Sequence, residues 1–110
     1  MEVNAKILLT EMLQACRNVS AAISGKDLPR ALDSDKFLLE NIYMNLYIIV
    51  ENSIVMGDTK KDYPLINWSE VAACTDVLNK TAEQMDKRKI MMLLQTKLET
   101  FTRKLEKILA

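Results

Sequence analysis

Apolar residues recur along the chain at steps of three and four, the spacing that lines one face of an α-helix. The first such stretch spans about residues 2–24, with Leu8, Met12, Ala15, Val19 and Ala22 in register. Gly25 follows at a position where left-handed backbone costs a glycine nothing. Residues 26–34 read as a connector holding Pro29, and Asp33, Ser34 and Asp35 offer N-caps for a second helix over about 35–56. Leu38, Ile42, Leu46, Ile49 and Ser53 form its stripe, and Gly57 is its stop. Residues 58–66 are a polar connector in which Tyr63 before Pro64 is pushed out of helical conformation. Asn67-Trp68-Ser69-Glu70 has capping-box spacing. It opens a third helix, predicted to run to about Met85 with Val71, Cys74, Leu78 and Ala82 as its buried line. Asp86 caps a fourth to about Leu109, carrying Ile90, Leu94, Leu98, Phe101, Leu105 and Ile108. No strand-like alternation and no internal repeat is present. The pattern predicts an all-α, antiparallel four-helix bundle forming one domain over residues 1–110.

Two of these helices carry more apolar surface than a single stripe uses. Tyr43, Met44 and Tyr47 lie outside the main line of the second helix, and Met91, Met92 and Leu93 form one run in the fourth. A second buried face absorbs such an excess, so a homodimer is expected. Composition agrees with the helical reading: 49% of residues are hydrophobic, and glycine and proline number two each, too few for the turns of a many-stranded sheet. Near the middle of the chain the longest apolar run, Leu46 to Val50, is far shorter than the roughly 20 residues of a membrane span. Met1-Glu2-Val3-Asn4 lacks the basic start of an export signal, so a cytoplasmic location is expected, with Cys16 and Cys74 as reduced packing residues.

The chain has no histidine. That excludes Ser-His-Asp and Cys-His catalysis and any histidine metal ligand, though an enzyme working with carboxylates or lysine is not excluded. The cysteines have no ligand spacing and neither glycine sits in a phosphate-cradling loop, so no metal or cofactor is expected. Charge changes the picture further. The net charge is zero, but residues 1–79 hold seven bases and eleven acids, and residues 80–110 hold eight bases and four acids. The basic excess begins at Lys80 and includes Lys87, Arg88, Lys89, Arg103, Lys104 and Lys107, a surface suited to phosphate in RNA or in a nucleotide. The competing reading is a solvated helix face, since Asp76–Lys80, Glu83–Lys87 and Glu99–Arg103 are favourable i,i+4 pairs. Glu51 stands in an apolar helix and must be paired or exposed, at an interface or on the surface, because burying a lone carboxylate is costly. Trp68 and Tyr63 flank the start of the third helix and are read as anchors of that joint.

Three segments resemble one family. Ile42-Tyr43-Met44-Asn45-Leu46-Tyr47-Ile48-Ile49-Val50-Glu51 is similar to the RNLEIIGEA helix of HepT-like proteins in the HEPN superfamily. Tyr63-Pro64-Leu65-Ile66-Asn67-Trp68-Ser69-Glu70-Val71-Ala72 resembles their YPEIPWREIAG start of helix three, and Leu105-Glu106-Lys107-Ile108-Leu109 their terminal LEKIL. The likeness covers about residues 42–109 by motif. It implies a dimeric helical bundle from a bacterium or archaeon, paired with a small nucleotidyltransferase in a two-gene toxin–antitoxin module. Active members are metal-independent endoribonucleases whose RxxxxH motif, contributed by both subunits, meets at the dimer cleft. A guanidinium there holds phosphate while an imidazole moves protons. A tyrosine two residues beyond the histidine is a target of nucleotidyl modification.

Laid along this chain without a gap, the arginine position is Thr75, the histidine position Lys80 and the tyrosine position Ala82. Threonine cannot replace a bidentate cation, and lysine, with an ordinary pKa near 10.4, is a poor proton shuttle at neutral pH. The resemblance therefore implies a degenerate member, leaning away from an enzyme. It would act as a binding or assembly partner of a minimal nucleotidyltransferase or of RNA. Lys80, with Asn79 and Thr75 on or beside the same helical face, would line a cleft at the dimer interface, and Lys80, Asn79, Lys87 and Arg88 are the candidate anion-binding residues. A cleaving protein with Lys80 in the histidine's role and Arg88 arriving from another helix is the alternative. A stand-alone dimeric helical protein without nucleotide or RNA ligand is the third.

Overall fold

The structure, a computed structural model, describes residues 4–78 and 80–110. Helix α1 spans Ala5–Ile23, α2 Leu28–Ser34, α3 Lys36–Met56 and α4 Trp68–Val77. The last two, α5 at Lys87–Met92 and α6 at Leu98–Leu109, are joined by a π-helical turn at Leu93–Lys97. Short 3-10 helices occupy Gly57–Asp62 and Ala82–Gln84. The all-α expectation holds, and no strand occurs among the described residues.

Local chemistry explains most of the boundaries. The expected start of the first helix at Glu2 lies outside the described residues; α1 begins at Ala5 with Asn4 as N-cap, its side chain accepting from the Ile7 N–H at 3.3 Å. Gly25 has φ 72°, the left-handed stop read from the sequence. Asp35 caps α3 by accepting from the Leu38 N–H at 3.0 Å. That bond, with Lys26 at 3.2 Å, holds the Asp35 carboxyl below its ordinary pKa. The connector over 26–34 is corrected: most of it is α2. Pro29 stands in the first turn of that helix, where a missing N–H costs nothing, so the proline starts a helix there.

The third helix is also shorter than expected. It ends at Val77, not Met85, and the chain turns through the 3-10 helix Ala82–Gln84 to seat Met85 in the core. Leu78 and Ala82, expected on a continuing buried line, are half-buried, whereas Val71 and Cys74 are buried as expected. The fourth stripe holds, with Ile90, Leu94, Leu98 and Leu105 buried, and Phe101 and Ile108 packed against the core. Its two successive steps of four, Ile90 to Leu94 to Leu98, run ahead of the 3.6-residue turn. The drift stays within the width of one helix face, and a π-helical turn at Leu93–Lys97 lies inside the stripe.

The core lies between α1 and α3, closed by α4 and the α5–α6 arm. Leu9, Met12, Cys16 and Val19 of α1 meet Ile42, Leu46 and Met56 of α3, with Leu32, Ile90 and Leu105 completing the fully buried set. Two asparagines of α3, buried though polar, bridge to α1. Asn18 Nδ2 donates to Asn45 Oδ1 at 3.2 Å, and Asn52 Nδ2 donates to the Leu8 carbonyl at 3.1 Å and to Glu11 Oε2 at 2.9 Å. As the α1 partners rise from 8 to 18 the α3 partners fall from 52 to 45, so the two helices run antiparallel in a fixed register. Arg17 pairs with Glu106 at 3.3 Å, tying α6 to α1. Among the described residues no helix is long and apolar enough to cross a membrane.

Both cysteines are free and buried. Desolvation pushes each thiol from near 9 up to about 11; the Glu70 charge adds to the effect at Cys74, and a hydrogen bond with Thr102 partly offsets it at Cys16.

Two outcomes follow from this packing. Asn52→Ala removes the bonds to Leu8 and Glu11 and should lower unfolding free energy by about 1–3 kcal/mol in a denaturant titration. The thiols of the folded protein should resist iodoacetamide at pH 8.5 while those of the unfolded chain are alkylated. Stability should fall as pH rises from about 9 to about 11, because the unfolded chain then releases protons that the folded thiols keep.

Candidate functional site

The segment carrying the sequence-identified positions begins at a well-built joint. Asn67 caps α4, its side chain accepting from the Ser69 N–H at 3.2 Å. Trp68 Nε1 donates to the carbonyls of Lys60 and Tyr63 at 3.1 and 3.2 Å, and Lys60 Nζ lies 6.0 Å from the indole centroid. These bonds make Trp68 the anchor of the joint, as read from the sequence.

From that anchored end, α4 presents Thr75 to solvent near its last turn. The helix closes with the Leu78 N–H bonded to the carbonyls of Cys74 and Thr75, at 3.3 and 3.1 Å. Lys80 is exposed in the bend that follows, and Ala82 begins the 3-10 turn half-buried. Asn79 lies outside the described residues. The expectation that Thr75 and Lys80 share one helical face is therefore corrected: Thr75 is on α4 and Lys80 lies beyond its end. The break also removes the geometry of two expected pairs. Among the described residues Asp76–Lys80 and Glu83–Lys87 are not formed; Glu83 meets Lys36 at 3.9 Å and Lys87 meets Asp33 at 3.3 Å. Glu99–Arg103 forms as expected at 2.6 Å.

Lys87 and Arg88 come together at a different place. Asp86 accepts from the N–H groups of Arg88 and Lys89, at 3.0 and 3.2 Å, and so starts α5 with these bases in its first turn. Together with α2, this turn walls an open groove of about 560 Å³. Pro29, Leu32 and Asp33 form one side; Lys87, Arg88, Met91 and Met92 form the other, with Gln95 and Thr96 at the π-helical end. The Asp33 carboxylate is matched by Lys87, while Lys80, Arg88 and Lys89 make no ion pair among the described residues. Of the remaining bases in residues 80–110, Lys97 pairs with Glu70 at 3.1 Å and Arg103 with Glu99, while Lys104 and Lys107 make no ion pair among the described residues. Exposed pairs of this kind contribute little stability. Lys6, Arg30 and Lys60, like Lys104 and Lys107, make no ion pair among the described residues, so Lys80, Arg88 and Lys89 at the α4–α5 turn, near Asp76 and Asp86 in the chain, are one part of the unpaired positive charge.

Glu51 is exposed on α3 and lines a second groove of about 320 Å³ with Glu11, Gln14, Asn18, Tyr47 and Ile48. Around it the outward face of α3 is unusually apolar: Phe37 is 85% exposed, Met44 64%, Tyr47 51% and Val55 52%. Tyr43 and Tyr47 stack with ring centroids 6.4 Å apart. Of the surplus apolar residues read from the sequence, Met44, Tyr47 and Met92 are exposed, whereas Tyr43, Met91 and Leu93 are half-buried against the core. The polar ladder Gln14–Asn18–Asn45–Asn41 beside this face was not identified from the sequence. Its signal was the placement of Asn45 and Asn52, two turns apart among the apolar residues of α3.

Among the described residues no three of Cys, Asp and Glu come together as a metal-binding group. Chemically, the groove between α2 and α5 offers cations, thioethers, an amide and a hydroxyl, a set suited to holding an anion. The model of one protein family, described as ribonuclease HepT-like, matches residues 12–108 of this chain. No curated protein and no solved structure matches it.

Proposed function

This chain belongs to the HepT-like ribonuclease family of the HEPN superfamily, and from that premise we propose that it is a non-cleaving member. It acts as a binding or assembly partner of a minimal nucleotidyltransferase or of RNA in a toxin–antitoxin-type module. The observation that carries this reading is the state of the RxxxxH segment. Its arginine position is Thr75, its histidine position is Lys80, and the end of α4 at Val77 separates them. Without a guanidinium at one position and an imidazole at the other, neither phosphate clamping nor proton transfer has its usual agent. Ala82 has no hydroxyl to accept a nucleotidyl group. What persists is a helical scaffold on which Lys80, Arg88 and Lys89 are exposed and make no ion pair among the described residues, groups that suit holding RNA or a phosphate-bearing partner.

The protein works as a homodimer in this reading. The apolar outward face of α3, from Phe37 through Met44 and Ile48 to Val55, supplies the surface for a second copy, and Glu51 stands within it as a polar contact. An isologous interface uses the same patch on both subunits, and one long helix face of this kind provides it.

Incubation of the protein with single-stranded RNA should leave the RNA intact. Cleavage that disappears in Lys80→Ala would replace this reading with that of an endoribonuclease using lysine in the histidine's place. Co-purification should recover a minimal nucleotidyltransferase encoded beside this chain, or RNA whose retention falls as salt rises; recovery of neither removes the binding role. Sedimentation should give a dimer, and Met44→Glu or Ile48→Glu, both at exposed positions, should give a monomer with unchanged helix content.

A further inference from the structure

The exposed side of α3 carries a repeat of its own. Phe37, Met44 and Glu51 stand seven residues apart, as do Asn41, Ile48 and Val55, and the two rows interleave at steps of four and three. That is the 3.5-residue repeat by which two helices pack along their length. Five of the six are exposed and Asn41 is half-buried, so the fold of one chain leaves the seam unpaired. Between Phe37 and Met56 the helix has no Lys or Arg, and Glu51 makes no ion pair among the described residues. Asn41 is also incomplete. Its Oδ1 accepts from Asn45 Nδ2 at 3.1 Å, while its Nδ2 donates to no group among the described residues. We propose that α3 pairs antiparallel with α3 of a second copy about a twofold axis midway between Met44 and Ile48, its register set by a hydrogen bond from Asn41 to the partner's Glu51.

This axis sets Met44 against the partner's Ile48 and Phe37 against the partner's Val55, apolar on apolar. The two polar residues of the seam then fall in one layer, Asn41 against the partner's Glu51, and symmetry makes each contact twice. The match is chemical as well as positional: Asn41 has a donor to spare, and an ionised carboxylate only accepts. Bonds to an ionised acceptor are short and strong. Neighbouring arrangements lose this match. Moving the axis to lie between Ile48 and Glu51 sets that carboxylate against isoleucine. Moving it the other way, between Asn41 and Met44, sets the carboxamide against methionine. Either buries a polar group without a partner. Parallel helices would face Glu51 with the partner's Glu51, two like charges in one layer. A polar position in an otherwise apolar seam is a known means of fixing register. The occupant is therefore a second copy. A foreign helix would have to reproduce this spacing of polar and apolar layers, whereas α3 reversed already does.

This assignment rests on the dimeric reading proposed above, which names the face without a direction or a register, and its test separates the two. Sedimentation equilibrium is run on the full chain and its variants. Asn41→Asp, which keeps the acceptor for Asn45 but sets two carboxylates together, should weaken the dimer at least tenfold. Adding Glu51→Lys should restore it to within threefold. Adding Glu40→Lys instead, on the same helix but outside the seam, should not. Helix content by circular dichroism should be the same in all. Cross-linking gives a second readout. Asn41→Cys with Glu51→Cys in one chain should oxidise to a covalent dimer in copper-phenanthroline. Glu51→Cys alone should not, because the pairing holds its two copies roughly 15 Å apart along the helix axis. Cys16 and Cys74 are buried and stay out of the reaction. The register is overturned by a dimer indifferent to Asn41→Asp, by failure of Glu51→Lys to restore it, or by cross-linking through Glu51→Cys alone. Each of these leaves the dimeric reading standing, whereas a monomeric chain overturns both.

Discussion

The seam between α1 and α3 sets the rest of the molecule. Burial of Leu9, Met12, Cys16 and Val19 against Ile42, Leu46 and Met56 supplies its driving force, but hydrophobic contact is non-directional and tolerates sliding. The asparagines remove that freedom. Asn45 and Asn52 are buried, and a buried amide without partners is costly, so only the register that gives them Asn18, Leu8 and Glu11 is acceptable. With the register set, one side of α3 belongs to the core. The opposite side is left outward with Phe37, Met44, Tyr47 and Val55. The outward apolar face of α3 is thus a consequence of how the first pair of helices is pinned.

The same core decides where the third and last helical segments depart from regularity. Met85 is buried only because the chain leaves α4 at Val77 and turns. That turn also separates Thr75 from Lys80 and puts Lys87 beside Asp33. Further on, the chain passes through the π turn at Leu93–Lys97 within the buried stripe of the last helical arm. Both irregularities lie beside the basic surface. The burial of Met85 after the end of α4 thus coincides with the place where Lys80 is exposed.

Helix type and most helix ends were legible in the sequence because their causes are local. Gly25 and Asp35 act through their own backbone and side chains within a few residues. The third helix was misjudged because Val71, Cys74, Leu78, Ala82 and Met85 fit a helical period whether or not the chain bends between them. Pro29 was read as a connector because proline is permitted both in loops and in a helix's first turn. At the site, the absence of histidine and the identities of Thr75, Lys80 and Ala82 could be read directly. The partner of Lys87 could not, since Asp33 is 54 residues away in the chain.

The sequence by itself determined the chemistry present: helical segments with defined caps, a chain without histidine, and a basic excess that begins at Lys80. Tertiary structure decided which of those charges remain uncompensated, which surplus apolar residues face outward, and that Arg88, Met91, Met92 and Gln95 line one groove with α2. The division has a physical reason. Caps, turns and side-chain identities act over one or two helical turns, whereas charge pairing and burial depend on distances between segments that only the packed core brings together.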